Sequence, residues 1–321
     1  MKVSILVPIY NVEVYIKRCA ISLFEQTYDN IEYVFVNDCT KDKSIDILIQ
    51  TLDYYPNRAS QVKIINHEIN KGLAAARTTA IDNSTGDYIM HVDSDDYINV
   101  DAVEKCVNTA INFKADIVAC AVKHIYEHKE DIELPCIGNG KIDYINNLLN
   151  RNTPVNLVAQ FTRKDIIKKD AYPIIGLNFG EDYVTTSRIA YYADNIVSLN
   201  DPIYNYWHGN QQSYTNNVSR KQLADVVRAY EIIDKFYQSK NDYNIYSSAL
   251  KNALCRNIVL LLVLCDNKDL DYIMSLDINK EKPSKIEMSW KHRIMYALYY
   301  FDVRLLIKIY KQIGLFIQRH V

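Results

Sequence analysis

An alternation of strand-like and helix-like segments over residues 1–121 is the feature that most constrains the fold. Short apolar runs are separated by segments whose apolar residues recur at helical spacing. This order predicts an α/β fold with a mixed, mostly parallel sheet flanked by helices, because parallel strands need crossover connections that are usually helical. The predicted strands are Val3–Ile9, Ile31–Val36, Val62–Asn66, Asp87–Val92 and Asp116–Ala121, and the predicted helices are Val12–Gln26, Asp42–Tyr54, Leu73–Ile81 and Asp101–Phe113.

The fourth predicted strand runs directly into a cluster of carboxylates. Asp93, Asp95 and Asp96 follow it almost without interruption. Carboxylates this close repel one another unless a cation lies between them, and Mg²⁺ and Mn²⁺ prefer such oxygens while keeping positions open for substrate phosphates. The segment predicts a cation site for a phosphorylated substrate. A solvated acidic turn before the next helix explains the same residues taken alone.

Polar residues also follow the other predicted strands, at Tyr10-Asn11, Asn37-Asp38 and residues 70–72. In open α/β sheets, ligands bind outside the carboxyl ends of the strands. We therefore expect these segments to converge on one crevice. The first strand is not followed by Gly-x-Gly-x-x-Gly or by a Walker lysine loop, which disfavours a dinucleotide or a P-loop nucleotide.

Composition narrows the class of protein further. With 321 residues, 49% of them hydrophobic, the chain can bury one large core or two modest ones, and its net charge of -2 does not indicate a nucleic-acid partner. The seven cysteines are dispersed without a Cys-x-x-Cys pair, which favours a reducing, cytoplasmic location. We expect neither a signal peptide nor a transmembrane helix, because no apolar run approaches the roughly 20 residues that span a bilayer.

Four motifs of the first half occur in an order and spacing typical of one family. They are Val-Ser-Ile-Leu-Val-Pro-Ile-Tyr-Asn at residues 3–11, Val-Asn-Asp-Cys-Thr-Lys-Asp-Lys-Ser at 36–44, Asn-Lys-Gly-Leu-Ala-Ala-Ala-Arg at 70–77, and the segment 86–96 that ends in Asp-Ser-Asp-Asp. Here the chain resembles family 2 glycosyltransferases of the GT-A fold, which are inverting enzymes that use nucleotide-sugar donors. Asn37 departs from the family's usual aspartate, and Cys39-Thr40 departs from the common Gly-Ser.

The resemblance implies roles for individual residues. It implies that Asp38 accepts a base N–H, that Asp93 lies near the ribose and donor sugar, and that Asp95 ligates the Mn²⁺ or Mg²⁺ that bridges the diphosphate. The other residues to which it gives a nucleotide-binding role are Pro8, Tyr10 and Arg77.

An inverting transfer needs a general base on the face opposite the leaving diphosphate. By resemblance Asp182 matches that base and Glu181 its acidic neighbour, although the pair also suits the positive end of the predicted helix Tyr183–Tyr192. His208 follows the predicted strand Ile203–Trp207 and could approach the diphosphate or the cation, or be an ordinary surface histidine. The absence of Gln-x-x-Arg-Trp favours transfer of one sugar over polymer extrusion.

The sequence predicts two regions. Residues 1–220 form the GT-A domain, with a nucleotide-sugar half (1–122) and an acceptor half (123–220), and residues 221–321 form a helical C-terminal extension. Within 123–175 we expect an irregular connection, a helix at Ile142–Leu149 and a strand at Asn156–Thr162. Residues 285–321 mix apolar and basic side chains. This favours either peripheral contact with the inner face of the plasma membrane or packing as a helical pair, and their apolar helices could also form a homodimer.

The predicted function is transfer of one hexose or related sugar from a UDP-sugar to a glycan or lipid-linked glycan, in the assembly of a cell-surface polysaccharide. Two alternatives remain open. A nucleotidyltransferase also places metal-binding carboxylates beside a parallel sheet, but it would need a basic glycine-rich loop near the first strand. A scaffold protein with a decayed site would bind nucleotide-sugars without turning them over.

Overall fold

The computed structural model describes residues 1–210, 220–275 and 289–311. The chain divides into two compact units, Met1–Ser213 and Tyr214–Val321. The first unit is built on one sheet, whose strands within the described residues are β1 (Val3–Ile9), β2 (Ile31–Asn37), β3 (Val62–Asn66), β4 (Tyr88–His91), β5 (Tyr97–Ile98), β6 (Ile117–Ile125), β7 (Glu130–Glu133), β8 (Gln160–Arg163) and β9 (Ile196–Trp207).

The strand order is β3-β2-β1-β4-β8-β6-β9-β5, with β7 beside β6. Strands β1 to β4 are mutually parallel, and β6 is parallel to β9, whereas β8 runs antiparallel to both β4 and β6. The expected mixed sheet flanked by helices is confirmed. Because β1 to β4 are parallel, their carboxyl ends lie at one edge of the sheet, where the polar segments gather.

Six helices accompany the sheet within the described part of the first unit: α1 (Ile16–Phe24), α2 (Ser44–Leu52), α3 (Leu73–Asn83), α4 (Ala102–Phe113), α5 (Lys141–Leu149) and α6 (Glu181–Tyr191). The main core contains alternate residues of β1, including Val3, Ile5 and Val7, together with apolar residues of α1 and α4. The opposite face of β1 is also fully buried, as expected of a central parallel strand. Gly72 begins α3 at φ +88, a region that favours glycine.

Two expectations for residues 123–175 need correction. The connection after β6 is not irregular, because β6 and β7 form an antiparallel hairpin that pairs Val122 with Glu133. All four residues of β7 are exposed and three are acidic, so this edge strand lacks the apolar alternation by which strands are recognised. The strand expected at Asn156–Thr162 is displaced toward the carboxyl terminus, because residues 157–159 form a 3₁₀ turn before β8.

The second unit is helical in its described residues, which form α7 (Arg220–Gln238), α8 (Tyr243–Leu264), α9 (Leu270–Met274), α10 (Trp290–Tyr300) and a helical segment at 304–311. Val226 and Ile233 of α7 are buried, as their spacing predicts. Among the described helices, α8 meets the length and hydropathy of a membrane span, but 61% of its most apolar window is buried inside the protein. A core helix shows the same properties.

Candidate active site

The acidic turn after β4 is anchored through its last carboxylate. Asp96 is buried, and its two oxygens accept hydrogen bonds from the Tyr204 hydroxyl and from the Trp207 backbone N–H, both at 2.7 Å. The Tyr204 hydroxyl also accepts a hydrogen bond from the Asp93 N–H at 3.1 Å. Asp96 therefore fixes the turn against β9 through both of its oxygens.

Asp95 keeps more of its coordinating capacity. Its Oδ2 accepts a hydrogen bond from the Asn210 side chain at 2.8 Å, and its backbone carbonyl accepts one from Arg18 at 2.8 Å. The Arg18 guanidinium also lies over the Tyr97 and Trp207 rings. Burial, followed by the charge of Asp93, raises the pKa of Asp95. Negative charge is thus poorly compensated here, which is the condition that a cation would relieve.

Arg77 lies at the centre of three carboxylates. Its side chain is 1% exposed, and it donates to Asp93 Oδ1 at 2.9 Å, to Glu181 Oε1 at 3.1 Å, and to Asp182 Oδ1. Burial alone would lower the pKa of Arg77, but Asp182, Asp93 and Glu181 outweigh it and leave that pKa raised. The guanidinium therefore stays charged and joins α3, the acidic turn and α6. To contact the nucleotide as predicted, the Arg77 guanidinium would have to bind it while also bound to these three carboxylates.

Asp182 and Glu181 form the first turn of α6. Gly180 precedes them at φ +83, in the left-handed region that glycine tolerates, so the chain can turn sharply into the helix. Burial raises the pKa of Asp182, an effect that Arg77 opposes, and burial with the charge of Asp182 raises the pKa of Glu181. A carboxylate with a raised pKa is a stronger base, as proton abstraction from a hydroxyl group requires.

The residues expected to bind the nucleoside differ in burial and in the contacts that they already make. Pro8 is buried within β1, whereas Tyr10 is 44% exposed at the end of that strand. Asp38 is buried and accepts hydrogen bonds from His67 Nδ1 at 2.7 Å and from the backbone N–H groups of Lys71 and Gly72, both at 2.8 Å. Asp38 thus orders the loop that begins α3, and its contact with a base stays a prediction, as do those of Pro8 and Tyr10.

The two departures from the family pattern are accommodated locally. Asn37 Oδ1 accepts a hydrogen bond from the Thr40 N–H at 2.9 Å, a bond that an aspartate could equally accept. Cys39 adopts φ 59, in the left-handed region where a non-glycine residue costs about 1–2 kcal/mol. This backbone conformation explains why glycine suits the position.

His208 lies in a separate group of side chains. Its Nε2 is 2.9 Å from His124 Nδ1, and its ring stacks on Tyr126 with a centroid distance of 4.1 Å. His124 Nε2 is in turn 3.1 Å from Glu133 Oε2. Sequence reasoning missed His124, Tyr126 and Glu133 because they belong to the unpredicted hairpin. Contact of His208 with the cation or diphosphate stays a prediction.

The carboxylates fit a divalent ion of the kind that shares its coordination with phosphate. No group of three or more His, Cys, Asp or Glu side chains within residues 1–210, 220–275 and 289–311 is arranged to hold a metal ion unaided. Mg²⁺ at nucleotide sites takes only one or two carboxylates, and water and phosphate oxygens complete its shell. Asp95 satisfies that requirement, because its carboxylate oxygens are hard ligands and burial disfavours their negative charge unless a cation compensates it.

Comparison with known proteins identifies the family of the chain. The model of Glycosyl transferase family 2 matches residues 4–169. EpsH of Bacillus subtilis, named as a glycosyltransferase, is 30% identical over 256 residues, which cover 77% of this chain and 72% of EpsH. Two relatives with 40% and 41% identity are covered over only 17% and 33% of their own length, so this chain spans a fraction of those longer proteins.

Solved structures show the same fold. The structure of S. aureus TarS 1-349 in complex with UDP-GlcNAc matches 97% of this chain and 91% of its own, with a TM-score of 0.62 and 19% identity. The mannosyltransferase PcManGT from Pyrobaculum calidifontis, in complex with GDP-Man and Mn²⁺, matches 97% of this chain and 87% of its own, with a TM-score of 0.52 and 14% identity. The first unit therefore has the expected GT-A architecture.

Proposed function

This chain belongs to Glycosyl transferase family 2 and is a glycosyltransferase, and from that premise we propose that it moves a single sugar from a UDP-sugar to a glycan or lipid-linked glycan, with inversion at the anomeric carbon. The observation that carries the proposal is the Arg77 cluster. One buried guanidinium holds both Asp93, expected beside the donor sugar, and Asp182, expected to act as the base. Two groups that an inverting transfer needs are thus held in a fixed relation.

In the proposed reaction, Asp182 accepts the proton of the acceptor hydroxyl. The hydroxyl oxygen forms a bond to the anomeric carbon while the bond from that carbon to the diphosphate oxygen breaks, and the electron pair leaves with the diphosphate. Arg77 orients Asp182 and Asp93, and Asp95 would hold Mn²⁺ or Mg²⁺. When bound, such a cation supplies positive charge to the leaving diphosphate. No covalent sugar–enzyme intermediate is needed.

The donor and cofactor proposals draw support from the structural neighbours. TarS was solved with UDP-GlcNAc and with UDP, and PcManGT with GDP-Man and Mn²⁺. We favour a UDP-sugar because the likeness to TarS has the higher TM-score. Nucleotidyl transfer is disfavoured because the first strand leads into Tyr10-Asn11 and not into a basic glycine-rich loop. A non-catalytic scaffold would have no use for the elevated basicity of Asp182.

Calorimetric titration with UDP, GDP, CMP and dTDP, each with and without Mn²⁺, tests the donor class. We expect Mn²⁺-dependent binding of UDP to the wild type and at least about tenfold weaker binding to Asp95→Ala, because that variant loses a direct metal ligand. Asp201→Ala is the matched control, since Asp201 is an exposed carboxylate that pairs with Lys105. Metal-independent binding would contradict the role of Asp95. If no nucleotide binds, the proposed function is refuted.

We further propose a cytoplasmic location with peripheral membrane contact through the C-terminal helices. Trp290 and Leu305 are exposed, and they could insert among lipids beside Lys291. Part of the expected basic surface is unavailable to lipid, because Arg304 pairs with Asp271 at 2.7 Å. Lys311 is also engaged within the protein, since it donates to the Leu262 carbonyl at 2.5 Å. Residues 285–288 and 312–321, which include Lys285 and Arg319, lie outside the described residues.

Co-sedimentation with vesicles tests this contact. We expect binding to vesicles that contain an anionic phospholipid, no binding to phosphatidylcholine alone, and weaker binding of Trp290→Ala and Lys291→Ala. Equal binding to both vesicles would contradict the electrostatic part of the proposal, and no binding would refute it. Light scattering after size exclusion would show whether the same apolar face forms a homodimer instead.

A further inference from the structure

His91 is a buried histidine on the face of the sheet that carries α3. In the parallel pairing of β1 with β4, His91 lies beside Leu6. The main core takes the alternate residues Val3 and Ile5 from β1, together with α1, so Leu6 and His91 belong to the opposite face. The connections β1–α1–β2 and β3–α3–β4 cross the sheet in opposite directions, and right-handed crossovers therefore place α3 on that opposite face. His91 and Arg77 of α3 thus share one side of the sheet.

Both nitrogens of the His91 ring are buried without a hydrogen-bond partner. The residue is 3% exposed, and no group in the described part of the chain bonds to Nδ1 or Nε2. A neutral imidazole has one donor and one acceptor, and an unpartnered buried polar atom retains the cost of leaving water. A phenylalanine or a leucine would fill a similar space without that cost. The two nitrogens therefore point to a polar partner at this place.

Arg77 has an unused donor on the same side of the sheet. Its Nη groups donate to Asp93, Glu181 and Asp182, but its Nε–H, which is also buried, has no partner among the described residues. Burial, followed by the charge of Arg77, lowers the pKa of His91 to about 3, so the two side chains are within electrostatic reach and the imidazole is neutral at pH 7. A neutral imidazole keeps one lone pair that can accept a hydrogen bond. The buried donor of one residue thus matches the buried acceptor of the other.

We propose that one ordered water accepts a hydrogen bond from Arg77 Nε–H and donates one to a ring nitrogen of His91, and that His91 is thereby a positioning residue for the active-site carboxylates. A water suits the place because the two side chains do not bond directly, and a bridging water is nearly as favourable as a direct bond. The guanidinium is planar and its donors have fixed directions, so holding its Nε end sets the directions in which its Nη groups meet Asp182 and Asp93. The catalytic part of this role rests on the proposed function, in which Asp182 is the base.

A crystal structure at a resolution that shows ordered waters tests the bridge without an activity assay. We expect one water within about 2.7–3.2 Å of both Arg77 Nε and one ring nitrogen of His91. No water there, or a water that contacts only one of the two side chains, would overturn the proposal.

His91→Phe removes both ring nitrogens and leaves Arg77 Nε–H without the bridge. The urea midpoint of the first unit should fall, because a buried donor then has no partner. The value of kcat should fall about 10–10²-fold, because a small displacement of a catalytic group is costly. The affinity for UDP with Mn²⁺ should be nearly unchanged, because the turn that carries Asp95 is anchored to β9 and to Asn210.

Three further variants separate the polarity of His91 from its shape. His91→Asn and His91→Gln place an amide near the positions of Nδ1 and Nε2, and one of the two should recover most of the lost kcat. Met90→Leu is the matched control, because Met90 is 2% exposed on the same strand but belongs to the main core. This change conserves volume, so it should change the urea midpoint little and leave kcat at the wild-type value.

A raised or unchanged urea midpoint in His91→Phe would show that the ring nitrogens lack a partner, and would refute the bridge. An unchanged kcat in His91→Phe, or a loss that neither amide variant recovers, would refute the positioning role. A wild-type protein that contains the water but binds no nucleotide would refute the proposed function alone. The two failures are therefore distinguishable.

Discussion

Replacement of Arg77 by methionine should destabilise the first unit by about 3–5 kcal/mol at pH 8, the usual cost of removing one partner from a buried ion pair. Three hydrogen bonds to carboxylates are lost, and each is worth about 1.5–3 kcal/mol when intact. The full sum is not expected, because Asp93 and Asp182 are 25% and 22% exposed and can regain water. Glu181 is 9% exposed and should account for much of the remaining penalty.

The penalty should shrink as the pH falls from 8 to 5. Burial already raises the pKa of Glu181 and Asp182, and loss of Arg77 removes the nearby positive charge that opposes this rise. A carboxylate whose folded pKa exceeds its unfolded value binds more protons when folded, so stability falls as the pH rises above the unfolded value of about 4. At pH 5 the variant can neutralise the cluster by taking up protons.

Urea unfolding at the two pH values measures the effect. Of the chain's two tryptophans, Trp207 reports on the first unit, so its emission should be followed in a Trp290→Phe background. Arg58→Met is the matched control, because Arg58 is largely buried and donates to backbone carbonyls, including that of Phe24 at 3.1 Å, which do not titrate in this range. Its ion pair with Asp29, at 3.8 Å, involves a carboxylate that is 98% exposed and so keeps its water when Arg58 is lost. A loss below about 1 kcal/mol for Arg77→Met, or a pH dependence no larger than that of the control, would refute the reasoning.

Three further changes have expected outcomes. Asp182→Asn should lower kcat about 10²–10⁴-fold while leaving donor affinity nearly unchanged, and an unchanged kcat would exclude Asp182 as the base. Because burial raises the pKa of Asp182, wild-type kcat/KM should rise with pH above the usual aspartate pKa of about 3.9. Initial rates measure kcat and kcat/KM, and calorimetry measures donor affinity. Tyr204→Phe should cost about 1–3 kcal/mol in urea unfolding, since buried Asp96 loses a donor; a neutral result would show that the turn is anchored elsewhere. Burial would raise the pKa of Glu32, but hydrogen bonds from donors including Ser4 and Thr85 outweigh it and leave that pKa lowered. The stability that this carboxylate provides should therefore be lost as the pH falls below about 4.3, and Glu32→Gln should not show this pH-dependent loss. If the urea midpoints of wild type and variant change with pH in parallel, the assignment is contradicted.

The sequence predicted the elements whose signals are local. Strands β1 to β4 are apolar runs of ordinary length between helical periodicities, and they lie within a few residues of the predicted ranges. Strand β7 could not be predicted from pattern, because an exposed edge strand with three acidic residues has no buried face to produce alternation. The strand predicted at Asn156–Thr162 begins too early because its apolar residues Leu157–Ala159 belong to a 3₁₀ turn, and β8 begins only at Gln160.

The candidate site was predictable in its residue types but not in its contacts. The acidic turn and the Glu181-Asp182 pair stand out as isolated carboxylate clusters. Arg77 connects them, although it precedes Glu181 by 104 positions in the sequence and Asp182 by 105. Nothing in the sequence around Arg77 shows that its partners are carboxylates and not phosphates. Arg18, Tyr204 and Asn210 were missed for the same reason, because each acts through hydrogen bonds or ring contacts to residues far away in the sequence.

The anchoring of the acidic turn by β9 has a consequence for the order in which the nascent chain folds. Tyr204 follows Asp96 by 108 positions, and Asn210 follows Asp95 by 115. Strands β1 to β4 can pair while the ribosome is still translating the middle of the message, but the turn between them and β5 must wait for its distant partners. Strands β1 to β4 should therefore pair early on the ribosome, and the capacity to bind a nucleotide should arise late, once residues 204–210 have left the exit tunnel.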